Sequence, residues 1–168
     1  MGYKVGSQIS KVCNYLIDKG ITNERPLSNI SLQKLLYFAQ GIHLANRDGN
    51  PLFEEDFYAW RFGPVVESVY HEFKSFGNNS IAPEFFAPPF YSKTSFDKKY
   101  ASFLTELEKD HRICLDVTYN AFGHFSPFEL VNISHQKNSP WEKVYNEKHN
   151  QLIEKSLIEK YFLKTYLS

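Results

Sequence analysis

The sequence predicts a mainly α-helical protein that folds as a single compact domain over residues 1–168, with about six or seven helices and room for one small β-hairpin. Three observations lead to this prediction. Apolar residues recur every three to four positions along much of the chain, which is the period of an amphipathic helix. Two Ser-Pro pairs carry the signature of helix starts. The length suits one hydrophobic core, and no linker-like stretch divides the chain.

The N-terminal third predicts two helices. The first repeat of apolar residues ends at Gly20, a residue typical of helix C-termini. A second helix is expected after Ser31, which has the chemistry of an N-cap. Gln33, Lys34 and Gln40 fall outside its apolar face, so exposure to solvent is the simplest expectation for them. That apolar face consists of Leu32, Leu35, Leu36, Ala39 and Ile42.

The stretch "FYAWRFGPVVESVYHEFKSFG", residues 57–77, changes pattern at its middle. Alternate residues of 57–60 can face opposite sides, which predicts a short strand. Gly63 and Pro64 then break the chain. Because proline lacks an N–H group, Pro64 suits the first turn of a helix, and Gly77 is placed to end that helix.

Two interpretations of "WRFGP" stay open at this point. Arg61 beside a helix N-terminus could hold an anion, because free N–H groups and the helix dipole favour negative charge there. Alternatively, the segment is a corner that packs Trp60 and Phe62 into the core, with Arg61 on a ring or paired to a carboxylate. The missing N–H of Pro64 weakens the anion hypothesis, so the corner is favoured.

The second half of the chain is expected to return to helices. Residues 77–96 look irregular because three prolines forbid a continuous helix, and their aromatic rings either plug the core or contact a partner. Helical spacing resumes near residue 100. Ser126 with Glu129, and Ser139 with Glu142, then form two capping-box patterns. The last helix is expected to bury Leu157, Ile158, Tyr161 and Phe162.

Composition excludes several classes of function. The chain has 19 basic and 19 acidic residues, and a duplex-binding protein usually shows a basic excess, so a nucleic-acid partner is not expected. No apolar run reaches the length of a membrane span. Cys13 and Cys114 fall in apolar helical patterns, which predicts buried reduced thiols and a cytoplasmic location. The high aromatic share, 17%, favours a protein-binding surface.

Catalytic and metal-binding patterns are weak. The six histidines include no pair at helical ligand spacing, so neither a metal nor another cofactor is expected. One enzyme hypothesis is a nucleophile pair between Cys114 and His124 or His135, because such pairs meet in space and not in sequence. The apolar surroundings of Cys114 argue against it. We therefore expect a protein that is not an enzyme.

The chain carries four segments in a fixed order: "LQKLLYFAQGIHLA", "PLFEEDFYAWRFGPVVESVYHEF", "FSPFELVNISHQKNSPWEKVY" and "IEKYF". Together they resemble the Panacea domain family, the SocA-like antitoxins, also described as phage-associated GepA-like proteins. The most specific part is "AWRFGPV", residues 59–65. A later mark of the family, Thr-His followed by Pro-Trp, reads Ser134-His135 and Pro140-Trp141 here, and serine keeps the hydroxyl group.

The resemblance implies a mainly helical, non-enzymatic antitoxin of bacterial or prophage origin that neutralises a cognate toxin by direct binding. Two alternatives come with it: an adaptor that delivers the toxin to a ClpXP-type protease, as one family member does, and a transcriptional autoregulator. It names neither the toxin nor the oligomeric state. The motif residues become candidates for partner binding: Gln33, Lys34, Tyr37, Trp60, Arg61, Gly63, Pro64, His135 and Trp141.

Overall fold

The computed structural model describes residues 2–4, 6–81 and 106–167. Most of the irregular stretch 77–96, with its aromatic rings, lies outside the described residues. The same is true of the helical spacing expected near residue 100.

The described residues form seven α-helices and one small sheet. The helices are α1 (Gln8–Thr22), α2 (Asn29–Asn46), α3 (Glu67–Phe73), α4 (Lys109–Phe122), α5 (Pro127–Ser134), α6 (Pro140–Val144) and α7 (Lys155–Tyr166), and a 3₁₀ turn, Lys74–Phe76, extends α3. The strands β1 (Phe57–Trp60), β2 (Gly63–Val65) and β3 (Gln151–Ile153) make an antiparallel sheet in the order β2–β1–β3. The mainly helical fold with a hairpin is confirmed, and β3 is a third strand whose position the sequence did not indicate.

Helix α2 lies at the centre of the fold. It contacts α1, α3, α4, α5 and α7 as well as β2, and it is buried along almost its whole length. The expectation that Gln33, Lys34 and Gln40 face solvent is wrong, since they are 1%, 1% and 0% exposed. A helix with neighbours on every side has no solvent face, so its polar side chains must bond to the backbone of those neighbours. Gln40 does so with both ends of its amide, at 2.7 Å from Phe53 O and from Leu52 N.

Aromatic rings fill the space between α2 and the elements around it. Phe38 of α2 stacks on Phe122 of α4 with ring centroids 4.2 Å apart. Phe162 of α7 lies directly on Gly41, where a Cβ atom would come within 2.4 Å of the ring. The absence of a side chain at Gly41 thus allows α7 to cross α2 at close range.

Two helix starts differ from the sequence prediction. Helix α2 begins after Ser28, whose hydroxyl accepts a bond from the Ser31 N–H, so Ser31 lies inside the helix and is not its cap. Helix α3 begins at Glu67 because Pro64 belongs to β2, opposite Ala59 of β1. Strand β2 is at the edge of the sheet, and an edge strand tolerates a residue without an N–H donor.

The two capping-box patterns have different outcomes. At α5 the box is complete, since Ser126 Oγ accepts from the Glu129 N–H and the Glu129 carboxylate accepts from the Ser126 N–H. At α6 the Ser139 hydroxyl accepts from the Glu142 N–H, as predicted. The Glu142 carboxylate, however, accepts from the backbone of Asn138.

Candidate functional site

The three motif segments, near residues 34, 60–64 and 134–141, meet at the hairpin of β1 and β2. The Lys34 amine of α2 donates to the Pro64 carbonyl at 2.8 Å. The Trp141 indole of α6 donates to the Trp60 carbonyl at 2.7 Å. These bonds fix the hairpin to α2 on one side and to α6 on the other.

Gly63 is required at the centre of this arrangement. Its φ of +106° lies in a region that side chains rarely adopt, and an added Cβ would lie 2.7 Å from both Lys34 Cε and Ser134 Oγ. Ser134 is itself buried and donates its hydroxyl to Val131 O. The turn can therefore approach α2 and α5 this closely only with glycine.

The side chains of Gln33 and Lys34 in α2 bond to the backbone of β2 and of the residue that follows it. The Gln33 amide accepts from the Val66 N–H at 2.9 Å and donates to the Val66 carbonyl at 3.3 Å. No carboxylate among the described residues pairs with Lys34, and its amine has one hydrogen bond, to Pro64 O. Complete burial lowers the pKa of the Lys34 amine to about 7.

Three rings support the hairpin from the side of α6. His135 stacks on Trp141 with ring centroids 3.5 Å apart, and Trp141 stacks on Tyr145 at 4.5 Å. Burial first, and then the charge of Lys34, lower the pKa of His135 to about 4. His135 is therefore a neutral packing ring at physiological pH, and its Nε2 atom is buried without a hydrogen-bond partner.

Trp60 takes part in a polar chain that sequence reasoning missed. Its indole donates to the Asn150 side chain at 3.0 Å, and the Asn150 amide donates in turn to the Glu67 carboxylate. The Trp60 ring also meets Tyr70 edge-on, with centroids 4.9 Å apart. Asn150 precedes β3, about 90 residues after Trp60 in a region without a motif, so no sequence signal pointed to it.

Arg61 and Phe62, the two residues at the tip of the turn, are exposed to solvent. Phe62 is 53% exposed, and the Arg61 guanidinium carbon lies 5.5 Å from the centre of the Phe62 ring. The prediction that Phe62 packs into the core is therefore wrong, and Trp60 is half-buried. The alternative of an anion bound at a helix N-terminus is also wrong for this segment, because Gly63 and Pro64 form a strand.

Two pockets flank this turn and share Trp60 and Arg61 as a wall. One has a volume of about 650 Å³ and lies between the turn and residues 145–150. The other, of about 310 Å³, lies between the turn, the start of α2 and the end of α3, and we call it the Lys34 pocket. Residues lining the Lys34 pocket include Asn29, Gln33, Lys34, Tyr70, Lys74 and the turn residues 60–62.

Other candidate residues lie away from the turn. Tyr37 is a core residue that packs edge-on against Phe57 and Phe162. Cys114 donates to the Ala39 carbonyl, and burial raises its pKa to about 11, while His135 stacks on Trp141. Among the described residues no hydrogen bond joins Cys114 to His124 or to His135.

The described residues contain neither a cluster of metal-ligating side chains nor a membrane-spanning helix. Among these residues, no three His, Cys, Asp or Glu side chains come together as a metal site would require. None of the helices that they form combines the length and hydropathy needed to cross a bilayer.

The part of the chain that resembles known proteins includes the segments that form this turn. The profile of the antitoxin SocA-like, Panacea domain family matches residues 32–142, from α2 to α6. Antitoxin SocA of Caulobacter vibrioides (strain NA1000 / CB15N) is 33% identical over 135 residues, which cover 80% of this chain and 69% of that protein. No solved structure matches the chain. This chain belongs to the antitoxin SocA-like, Panacea domain family.

Proposed function

We propose that this chain is the antitoxin of a toxin–antitoxin pair and that it neutralises its toxin by direct protein–protein binding, without catalysis. Membership of the family and the antitoxin name of the Caulobacter relative support the role. The observation that carries the binding mode is the turn of β1 and β2, which presents Arg61 and a 53% exposed Phe62 on a fixed support.

The support of the turn matters for affinity. Binding is weakened when flexible groups must be ordered, and a preorganised surface avoids much of that free energy. Here the Trp60 and Pro64 carbonyls are bonded to Trp141 and Lys34, while Gly63 fits between its neighbours without space for a side chain. Arginine and aromatic residues are also the types most often found at the energetic centre of protein interfaces.

The pKa shifts of Cys114 and His135 favour a binding module over an enzyme that uses a cysteine–histidine pair. Burial raises the pKa of Cys114 to about 11 and lowers that of His135 to about 4, so at neutral pH one is a protonated thiol and the other a neutral ring. An activated nucleophile and a poised base would show shifts towards neutrality. Both cysteines are free and buried, which supports a cytoplasmic location.

The test is co-expression with the protein encoded by the neighbouring gene. We expect that protein to arrest growth alone, to be harmless in the presence of this chain, and to co-purify with it in a stoichiometric complex. Rescue without a complex, together with accelerated loss of the toxin, would favour the protease adaptor. Absence of both toxicity and complex would overturn the proposal, and a shift of the operon's promoter fragment would then favour the autoregulator.

The turn is tested with a pair of matched variants. Phe62→Ala should weaken the complex by at least tenfold if the ring is inserted into the partner. Phe128→Ala is the control, since Phe128 is 80% exposed at the start of α5 and does not line either pocket beside the turn. Equal affinities of the two variants would place the interface elsewhere.

A further inference from the structure

We propose that the Lys34 pocket receives the carboxylate side chain of an acidic segment of the protein partner. The inference rests on the proposed function, because it names the part of the partner that the turn recognises. It is carried by the charge, the shape and the walls of the pocket.

The pocket has cations and lacks counter-charges. Lys34, Arg61 and Lys74 all line it, and among the residues that the structure describes no aspartate or glutamate does. The Lys34 amine uses one donor on Pro64 O, whereas a protonated amine has three. Buried charges in proteins are normally paired, so this group lacks the partner that an incoming carboxylate would supply.

The walls of the pocket suit the stem of an acidic side chain. Trp60, Phe62 and Tyr70 line it beside the cations. Its volume of about 310 Å³ is at the lower end of the range of ligand pockets, and it suits one side chain with the adjoining backbone. Rings that exclude water also strengthen the attraction between the charges, because the local dielectric constant falls.

The surroundings favour an acidic peptide over a nucleic acid. On the far side of Trp60, the Glu67 carboxylate accepts from Asn150, and Glu147 lines the second pocket. A phosphate backbone that continued past the turn would meet these negative charges. A single carboxylate that enters the Lys34 pocket does not, and the chain as a whole has a net charge of zero.

Occupancy by a carboxylate should change the protonation of Lys34. In the free protein its pKa is about 7, so at pH 8 the amine is mostly neutral. The groups that face it are His135 from the end of α5, which is neutral at this pH, and the cations Arg61 and Lys74 at the pocket. A bound carboxylate favours the charged form, and complex formation at pH 8 should take up close to one proton.

The experiment is calorimetry of this chain with the toxin identified by co-expression, at pH 8 in two buffers of different ionisation enthalpy. We expect proton uptake with the wild type and none with Lys34→Met, after thermal melting has shown that the variant is folded. Lys74→Gln should weaken binding about tenfold and Lys109→Gln should not, since Lys109 is an exposed lysine at the start of α4. A stable complex without proton uptake, and with equal affinities of these two lysine variants, would overturn the carboxylate site and leave the antitoxin role intact.

A second measurement separates the pocket from the toxin. The chain has two tryptophans, so the indole N–H signal of Trp60 can be assigned in an NMR spectrum with a Trp141→Phe variant. The probes are the acetylated, amidated peptides Gly-Gly-Glu-Gly-Gly and Gly-Gly-Gln-Gly-Gly, inorganic phosphate and a short single-stranded oligonucleotide. A shift of the Trp60 signal with the glutamate peptide alone, lost in Lys34→Met, supports the proposal even if the neighbouring gene product does not bind. A shift that Lys34→Met retains places the peptide in the second pocket and overturns the proposal. No shift with that peptide, or a larger shift with phosphate or the oligonucleotide, overturns it.

Discussion

Gly63→Ala gives the sharpest test of how the turn is built. The substitution places an L side chain at φ +106° and a methyl group 2.7 Å from Lys34 Cε and Ser134 Oγ. The backbone strain costs roughly 1–3 kcal/mol. Overpacking against two buried side chains adds roughly 1–3 kcal/mol, since a hydrogen bond holds the end of each, Lys34 to Pro64 O and Ser134 to Val131 O. We therefore expect the free energy of unfolding to fall by about 2–6 kcal/mol.

The assay is urea denaturation followed by circular dichroism, with Gly49→Ala as the matched control. Gly49 has a φ of +81°, but the atoms nearest to its added methyl group are those of the flexible Glu159 carboxylate, the closest at 3.1 Å. The control should lose only the strain, about 1–2 kcal/mol. A loss in Gly63→Ala no larger than in the control would refute the close packing of the turn against Lys34 and Ser134.

Three further predictions concern the stability of the fold and use the same denaturation assay. Ser126→Ala removes one half of a complete capping box and should lower stability by about 1 kcal/mol; no change would mean that α5 does not depend on its cap. Gly41→Ala forces a methyl group to within 2.4 Å of the Phe162 ring, so a loss of about 2–3 kcal/mol is expected, and a neutral result would contradict the close crossing of α2 and α7. Trp60→Ala should cost about 2 kcal/mol, less than a fully buried tryptophan, and a loss above about 4 kcal/mol would contradict its half-buried position.

Much of the helical framework could be predicted because its signals are local. A serine with a glutamate three residues later specifies the start of α5 through bonds within one turn of chain. The alternation of residues 57–60 likewise predicts β1, whose burial does alternate. Such patterns depend on neighbours in sequence, so one sequence is enough to interpret them.

The site could be predicted only in part because its chemistry depends on distant neighbours. Lys34 and Gln33 look like surface residues in a helical pattern, and the packing of distant elements, β2, α3 and α5 among them, around α2 buries them. Pro64 fits a helix start and an edge strand equally well, and the choice depends on its pairing with Ala59. The bond from Trp60 to Asn150 joins segments that no periodicity connects.

The burial of Lys34 also predicts how stability depends on pH. The expected change of stability with pH has the opposite sign to that caused by a paired lysine. In an unfolded chain a lysine has a pKa of about 10.4, whereas burial lowers the pKa of Lys34 in the fold to about 7. Between these values the unfolded chain binds a proton that the folded chain lacks. The free energy of unfolding therefore rises with pH in this range, by up to about 1.4 kcal/mol per pH unit, and below pH 7 the fold bears the full penalty of a buried charge.

The measurement compares the wild type with Lys34→Met by urea denaturation at pH 7.5 and 9.5. Burial also raises the pKa values of Cys13 and Cys114, which favours unfolding at higher pH, but both proteins contain these thiols and the effect cancels in the difference. The stability of the wild type relative to the variant should increase by about 2 kcal/mol over this range. A constant difference would show that Lys34 keeps its proton in the fold. The amine would then already have a negative partner, and the Lys34 pocket would not need a carboxylate from outside.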